Sequence, residues 1–206
     1  MLDVKRDLFK GLEEKIAKFF SIFPLGPNQW TLTSIIFAFL SSYFLIKQNF
    51  VLTILFFLIA GFLDLIDGAV ARYKNISTKF GAYLDTICDR YVEAILLFGM
   101  FFLPLPKIIL PAYFWISLIL FGSIMTTYAK AAAKEKELTS QELKGGIFSR
   151  GERIIFLLIF LIFCQLERSF TFPTYVLILI AVLTNITAWQ RIISALKINA
   201  RDEKID

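Results

Sequence analysis

Residues 64–89 read DLIDGAVARYKNISTKFGAYLDTICD and contain the pattern D-x2-D-G-x2-A-R-x8-G-x3-D-x3-D. The sequence on both sides is mostly apolar, so the four aspartates of the pattern lie in segments that suit a membrane. A carboxylate near the hydrocarbon core is costly unless it has a partner, and such residues are therefore rare there and usually functional. Four carboxylates close together need a cation between them. The stretch therefore indicates a membrane protein with a cation-binding site.

The spacing of the aspartates predicts two carboxylate faces that meet. Asp64 and Asp67 are three positions apart, and Asp85 and Asp89 are four apart, so each pair shares one face of a helix. The segment 73–79, YKNISTK, is polar and predicts a short turn between the two helices. A hairpin at this turn brings the two faces together, where one or two divalent cations would hold them.

The composition supports a membrane protein with an oxygen-rich metal site. The chain has 206 residues, of which 57% are hydrophobic, and its mean hydropathy of +0.69 is too high for an ordinary soluble domain. Histidine is absent, which removes the commonest general base and the commonest transition-metal ligand. Carboxylate ligands point instead to Mg²⁺, Mn²⁺ or Ca²⁺. Cys88 and Cys164 lie in apolar surroundings without metal-type spacing, and we expect both in the core.

The apolar pattern predicts an all-α integral membrane protein with six transmembrane helices and a preceding interfacial helix. The expected parts are an amphipathic helix over 1–23, a membrane domain over 24–197 and a polar tail over 198–206. In the first part, apolar residues recur every four positions, at Val4, Leu8, Leu12, Ile16 and Phe20. The expected spans are about 29–47, 50–70, 80–103, 108–132, 153–167 and 173–194.

The basic residues predict the orientation of these spans. The connections after the first, third and fifth spans carry only Lys47, Lys107 and Arg168, respectively. Most other basic residues lie in the N-terminal helix, near 72–79, between 130 and 153, and at the C-terminal end. The positive-inside rule therefore places both termini of a multi-pass cell-membrane protein in the cytoplasm. The aspartate pattern would lie on the same side.

Two glycines and an arginine of the pattern allow two interpretations each. Gly68 and Gly81 each cost about 1 kcal/mol in a helix interior relative to alanine. Either they allow two helices to pack closely, or they allow a phosphorylated ligand to approach the backbone. Arg72 lies one turn after Gly68. Its guanidinium would bind a phosphate or anchor the helix at the membrane interface.

The pattern over 64–89 resembles the signature of the CDP-alcohol phosphotransferase family, whose members are also called CDP-alcohol phosphatidyltransferases. A Pro-Asn-x-x-Thr stretch at 27–31 and the six-span plan extend the resemblance over nearly the whole chain. The resemblance implies an enzyme that moves a phosphate-linked group from a CDP-activated donor to an alcohol and releases CMP. It also implies a homodimer in the lipid bilayer, with a CDP-lipid donor, a polar alcohol acceptor and no nucleic-acid partner.

The resemblance further implies a role for each matching residue. Asp64, Asp67 and Asp85 would bind one Mg²⁺ or Mn²⁺ ion. A second ion would be bound by Asp64, Asp85 and Asp89, and Asp89 would also be the catalytic base. The CDP moiety would be bound by residues of the two motifs, namely Pro27, Asn28, Gln29, Trp30, Thr31, Gly68, Ala71, Arg72, Thr78 and Gly81.

Basic residues in the second half of the chain bear on the identity of the alcohol acceptor. Lys130, Arg150 and Arg153 would bind an anionic acceptor, or the segment 130–153 is only a cytoplasmic basic loop. The arrangement resembles the inositol-phosphate-using branch, in which a Lys-Ala-Arg-Ala-Glu-like run precedes a Gly-x-x-Glu-Arg-x-Glu-Arg-like run. Here the first run is KAAAK, and Ser149 replaces the first glutamate of the second run. Inositol phosphate, glycerol phosphate, serine or another alcohol therefore remain possible acceptors, and CDP-diacylglycerol and CDP-archaeol remain possible donors.

The alternative to an enzyme is a divalent-cation transporter, in which the aspartates would line the ion pathway. Transporters commonly bind their ions near the middle of the membrane, between internal repeats. In this sequence the carboxylates lie toward one side of the membrane and no repeat is evident. These features favour the enzyme.

Overall fold

A computed structural model describes residues 6–138 and 146–202, and it describes their side chains except at positions 6–10, 12 and 199–202. Predictions for residues 1–5, 139–145 and 203–206 lie outside the described residues, as do those for the side chains of Leu8 and Leu12. The described part of the chain forms helices α1 (Arg6–Phe20), α2 (Pro27–Ile46), α3 (Phe50–Tyr73), α4 (Lys79–Met100), α5 (Ala112–Glu135), α6 (Arg150–Leu166) and α7 (Thr171–Asp202). The prediction of an all-helical chain is confirmed.

Among the described helices, α2, α3, α5 and α7 are long and apolar enough to cross a membrane. The other two predicted spans differ from them for separate reasons. α4 carries five charged residues, Lys79, Asp85, Asp89, Arg90 and Glu93. α6 has only 17 residues, which is about 26 Å at 1.5 Å per residue. The structure therefore supports several membrane spans, while the number six stays a prediction.

The chain divides into two compact units, residues 1–99 and 100–206. In the first unit, α1 and α2 both pack on α3. The core at this junction contains the buried residues Trp30, Leu63, Ile66 and Val70. The ring of Phe20, near the end of α1, lies edge-on to Trp30 with 5.6 Å between centroids. These contacts hold the C-terminal half of α3, which carries the first two aspartates, against α2.

The turn between α3 and α4 is built from hydrogen bonds that end one helix and begin the next. The Ile76 amide donates to the Ala71 carbonyl (3.0 Å), and Asn75 adopts a positive φ of 54° that ends α3. The Thr78 hydroxyl accepts from the Gly81 amide (2.9 Å) and so caps the start of α4. The predicted polar turn therefore reverses the chain over residues 74–78.

In the second unit, α7 packs on both α5 and α6. It approaches α5 closely at Gly122, where an added Cβ would lie 2.9 Å from Thr184 Cγ2 and 3.0 Å from Asn185 Nδ2. The side-chain amide of Asn185 (Nδ2) also donates to the Leu118 carbonyl (2.9 Å) and so joins the two helices. α7 continues to Asp202, and residues 198–202 of the predicted tail therefore extend this helix.

The two cysteines are core residues, as expected. Cys88 is 3% exposed and Cys164 is 2% exposed, and both are free thiols.

Candidate functional site

Three of the four predicted carboxylates converge between α3 and α4. Carboxylate oxygens of Asp64, Asp67 and Asp85 all lie within 4.8 Å of one another. Asp67 is buried, and the other two are half-buried. Oxygens at this separation suit a hard divalent cation, because Mg²⁺ and Ca²⁺ bind oxygen ligands at about 2.0–2.6 Å. The residues present therefore fit the predicted metal site.

Asp89 lies one helical turn beyond Asp85 on α4 and is half-buried. It is not part of the three-carboxylate cluster found among the described residues. Its neighbour Arg90 forms an ion pair with Glu93 at 3.2 Å, three positions along the same helix. The structure thus separates Asp89 from the cluster by one turn, a position compatible with a different role.

A hydroxyl from α2 fixes the most buried of the three aspartates. The Thr31 hydroxyl donates to Asp67 Oδ2 at 2.5 Å and also lies 3.1 Å from the Pro27 carbonyl of its own helix. Thr31 is 3% exposed and Asp67 is 4% exposed, so water has little access to this contact. The Thr-Asp contact connects the Pro-Asn-x-x-Thr stretch directly to the carboxylate cluster.

A cavity of about 380 Å³ lies beside the cluster and is formed by residues of α2, α3 and α4 and the turn between α3 and α4. Of the ten predicted CDP-binding residues, nine line it: Pro27, Asn28, Gln29, Thr31, Gly68, Ala71, Arg72, Thr78 and Gly81. Asp67 and Asp85 line it as well. Trp30 does not, because its indole is buried in the core with Leu63 and Ile66.

The N-termini of two helices contribute to the cavity lining. α2 begins at Pro27, and the Gln29 side chain caps it by accepting from the Gly26 amide at 2.8 Å. α4 begins just after Thr78, which also lines the cavity. The N-terminus of a helix carries a partial positive charge and suits an anion such as a phosphate. The cavity therefore joins a cation-binding cluster to two positions that favour negative charge.

The two glycines of the pattern have different structural roles. At Gly81, an added Cβ would lie 3.2 Å from Asn28 Oδ1 and 3.2 Å from Thr78 Oγ1, so this glycine allows α4 to approach the start of α2. At Gly68, an added Cβ would lie 3.0 Å from Arg72 Nη1. The space beside Gly68 is therefore taken by the guanidinium of Arg72.

Arg72 is held at the edge of the cavity by α1. Its Nε donates to Glu13 Oε1 at 2.7 Å, and its Nη2 lies 2.5 Å from the same oxygen. Both side chains are partly exposed, so the pair adds little to stability. Its main effect is to fix the direction of the guanidinium that lines the cavity.

Several residues of the site did not follow from the sequence pattern. Glu13 is 59 positions from Arg72, and no local spacing connects them. Gly26, Ile76, Ser77 and Ala82 also line the cavity. Gly26, Ser77 and Ala82 directly adjoin predicted site residues, and that adjacency is the signal that identifies them, whereas Ile76 lies within the turn between α3 and α4.

In the second unit, the predicted acceptor residues lie at the end of α5 and the start of α6. Lys130 is in the last two turns of α5, Arg150 begins α6, and Arg153 is only 1% exposed. The structure adds Arg191 of α7, which lies close enough to Arg153 for electrostatic repulsion and donates from Nη1 to the Thr126 carbonyl at 2.6 Å. The sequence signal for Arg191 is that it is the first charged residue of α7, after a long uncharged stretch.

The all-helical fold and the carboxylate cluster beside an anion-suited cavity define a membrane enzyme that acts on a phosphorylated substrate with a divalent metal. Residues 25–196 match the family model described as CDP-alcohol phosphatidyltransferase, and the chain belongs to this family. It is therefore a transferase, which confirms the enzyme interpretation over a cation transporter.

Two related proteins resemble the chain over most of its length. The archaetidylinositol phosphate synthase of Pyrococcus horikoshii is 34% identical over 96% of this chain and 97% of the relative. A crystal structure of Mycobacterium tuberculosis phosphatidylinositol phosphate synthase with CDP-DAG bound has a TM-score of 0.77, with 23% identity over 89% of this chain and 92% of that one. The same mycobacterial protein in complex with manganese and citrate has a TM-score of 0.76, again with 23% identity, and covers 89% of this chain and 88% of that one. The structural similarity supports the fold.

The Thr31–Asp67 hydrogen bond gives a prediction about metal affinity. Thr31→Val removes the donor and should weaken Mn²⁺ binding by roughly ten- to a hundredfold, because partners of ligating groups orient those ligands. Electron paramagnetic resonance of the purified protein in detergent measures free and bound Mn²⁺. Thr33→Val is the matched control, since the Thr33 hydroxyl bonds to the Gln29 carbonyl of its own helix (2.7 Å). Equal Mn²⁺ affinities for Thr31→Val and the unchanged protein would contradict this role.

Proposed function

We propose that this chain synthesises an inositol phosphate lipid by transferring a lipid-linked phosphate group from a CDP-lipid to inositol phosphate, releasing CMP. The observation that carries the proposal is the cavity that joins three clustered carboxylates to the N-termini of α2 and α4. The acceptor is supported by the names of both relatives, each of which describes an inositol phosphate lipid. The lipid of the donor is either archaeol or diacylglycerol, since the two relatives differ in this respect.

The donor site is assigned to the first unit. Asp64, Asp67 and Asp85 would hold one Mg²⁺ or Mn²⁺ ion, and Asp89 would join Asp64 and Asp85 in holding a second. A divalent cation, when bound, spreads the charge of the pyrophosphate and of the leaving CMP. The N-termini of α2 and α4, together with Arg72, bind the CDP moiety. The proximity of these groups to the carboxylates supports the assignment.

The transfer itself needs one bond to form and one to break. The acceptor hydroxyl oxygen bonds to the lipid-bearing phosphorus, and the bond between that phosphorus and the bridging oxygen of CMP breaks. Asp89 accepts the hydroxyl proton as general base. Its position one turn after Asp85 on the same helix supports a role beside the metal ligands.

The acceptor site is assigned to basic residues of the second unit. Arg150 and Arg153 lie three positions apart on α6, and Arg191 of α7 lies close to Arg153. With Lys130, these residues would bind the phosphate of inositol phosphate through charge-assisted hydrogen bonds.

The membrane arrangement that we propose has six spans, α2 to α7, with both termini in the cytoplasm and two copies forming a homodimer. α4 can be a span because Lys79 is its first residue, Asp85 and Asp89 belong to the proposed metal site, and Arg90 pairs with Glu93. α6 is close to the minimum spanning length. α1 would lie in the interface, where its exposed Phe19 and the following Ile22 meet lipid.

An acceptor panel tests the proposed function. Purified protein in detergent with a CDP-lipid and Mg²⁺ should release CMP when inositol phosphate is added, and much less with glycerol phosphate or serine. EDTA should abolish release, and Mg²⁺ or Mn²⁺ should restore it, because the carboxylates would otherwise repel one another and the pyrophosphate. Faster CMP release with glycerol phosphate than with inositol phosphate would contradict the proposed acceptor. Full activity in EDTA would contradict the role of the metal.

Two aspartate variants should separate the base from the metal ligands. Asp89→Asn should lower turnover by roughly a hundredfold or more while CDP-lipid binding largely survives, since general-base catalysis contributes about 10²–10⁴-fold. Asp64→Asn should weaken Mn²⁺ and CDP-lipid binding together. Single-turnover CMP release and equilibrium binding of a CDP-lipid measure the two effects. Near-normal turnover of Asp89→Asn at saturating acceptor would remove Asp89 from the base role.

Cysteine labelling tests the topology. In a background with Cys88 and Cys164 replaced, Lys107→Cys should react with a membrane-impermeant maleimide in sealed cells, whereas Ser140→Cys should react only after the cells are opened. The reason is that strongly basic connections stay in the cytoplasm, whereas the connection at 107, with one basic residue, would lie on the outer side of the membrane. External labelling at position 140 would invert the assignment.

A further inference from the structure

The entry to α6 is held by two side chains of α7. The Ile147 amide donates to Gln190 Oε1 at 3.0 Å, and the Phe148 amide donates to Thr187 Oγ1 at 3.0 Å. These partners lie 43 and 39 positions away along the chain. Backbone amides just before a helix need partners outside that helix. Here α7 provides the partners for the residues 147 and 148 that lead into α6.

The same segment is held by its shape as well as by hydrogen bonds. Gly146 has a φ of +116°, a conformation that favours glycine, and it packs directly against the side chain of Thr187. Phe148 is 3% exposed, and its ring lies edge-on to Phe156 with 5.2 Å between centroids. Thr187 is fully buried. Residues 146–148 are therefore packed and hydrogen-bonded against α7.

That position sets the first turn of α6. The Ser149 amide donates to Glu152 Oε2 at 2.6 Å, and the Arg153 amide donates to the Ser149 carbonyl at 3.0 Å. Such a cap fixes the residue at which a helix begins and the direction of its first turn. Arg150 and Arg153 both lie in this turn. A shift of residues 147–149 would therefore move both arginines.

The next residue of α7 connects this region to α5. Arg191 follows Gln190 directly and lies four positions after Thr187, and its Nη1 donates to the Thr126 carbonyl at 2.6 Å. One turn of α7, residues 187–191, thus contacts both the start of α6 and the C-terminal half of α5.

We propose that Thr187 and Gln190 are positioning residues for the acceptor, which hold Arg150 and Arg153 in place without contacting the substrate. This inference rests on the acceptor site proposed above. Without the Thr187 hydroxyl, the buried Phe148 amide loses its partner, and the segment shifts to find another. A displacement of about 1 Å in a substrate-positioning group can cost up to a hundredfold in rate. The effect should fall on the acceptor, because the donor cavity is lined by other residues.

The experiment compares steady-state kinetics for inositol phosphate and the CDP-lipid. Thr187→Val and Gln190→Leu should each raise the KM for inositol phosphate about tenfold, with the KM for the CDP-lipid and the Mn²⁺ affinity unchanged. Thr187→Ser keeps the hydroxyl and should restore the acceptor KM. Ser194→Ala is the matched control on α7, because the Ser194 hydroxyl bonds to the Gln190 carbonyl (2.7 Å) within the same helix. If Thr187→Val is not recovered folded, Gln190→Leu carries the test, since its bond to the Ile147 amide is exposed.

Hydrogen–deuterium exchange gives a readout that does not depend on activity. The amides of residues 147 and 148 should exchange faster in Gln190→Leu and Thr187→Val, respectively, and at the original rate in Ser194→Ala. Arg150→Ala and Arg153→Ala serve as comparators for the acceptor site. If these arginine variants raise the acceptor KM but the α7 variants do not, the positioning role is wrong while the acceptor site stands. If neither set changes the acceptor KM, both are wrong. Equal increases in acceptor and donor KM would show a general structural effect and would also overturn the inference.

Discussion

Mutual repulsion of three carboxylates is the constraint on which this structure depends. Oxygens of Asp64, Asp67 and Asp85 lie within 4.8 Å of one another, between two helices with largely apolar surroundings. Like charges at this separation repel strongly where the dielectric constant is low. A divalent cation bound by these three carboxylates would offset this repulsion. Since the ligands come from both α3 and α4, metal binding would then be coupled to the packing of the two helices.

Opposite electrostatic preferences lie side by side in the first unit. The carboxylates attract a cation, while the starts of α2 and α4 and the guanidinium of Arg72 favour an anion. A phosphate carrying a divalent cation satisfies both preferences at once. The absence of a Cβ at Gly81 makes this possible, because it lets α4 approach Asn28 at the start of α2. The cavity is thus suited to a metal-bound pyrophosphate rather than to either ion alone.

Side-chain caps fix the helix starts that carry the site. Gln29 caps α2, Thr78 caps α4, and Ser149 with Glu152 caps α6. A cap determines the residue at which a helix begins, and it therefore determines the direction of every side chain in the first turn. In α6 this control extends further, because α7 holds the residues that precede the cap. Functional residues close to a helix start are consequently positioned by hydrogen bonds to the backbone as well as by core packing.

The sequence by itself determined the helical fold and the carboxylate pattern, because helix periodicity and a five-residue turn relate positions that are close along the chain. The resemblance to the family signature, rather than local spacing, named eleven of the fifteen residues that line the cavity. Only the tertiary structure decided the contacts between distant segments. It buried Trp30 in the core instead of the cavity, paired Arg72 with Glu13, and brought Arg191 close to Arg153. Such contacts depend on how the helices pack. Packing is decided by side-chain volume and shape across the whole unit, and local spacing along the chain does not encode it.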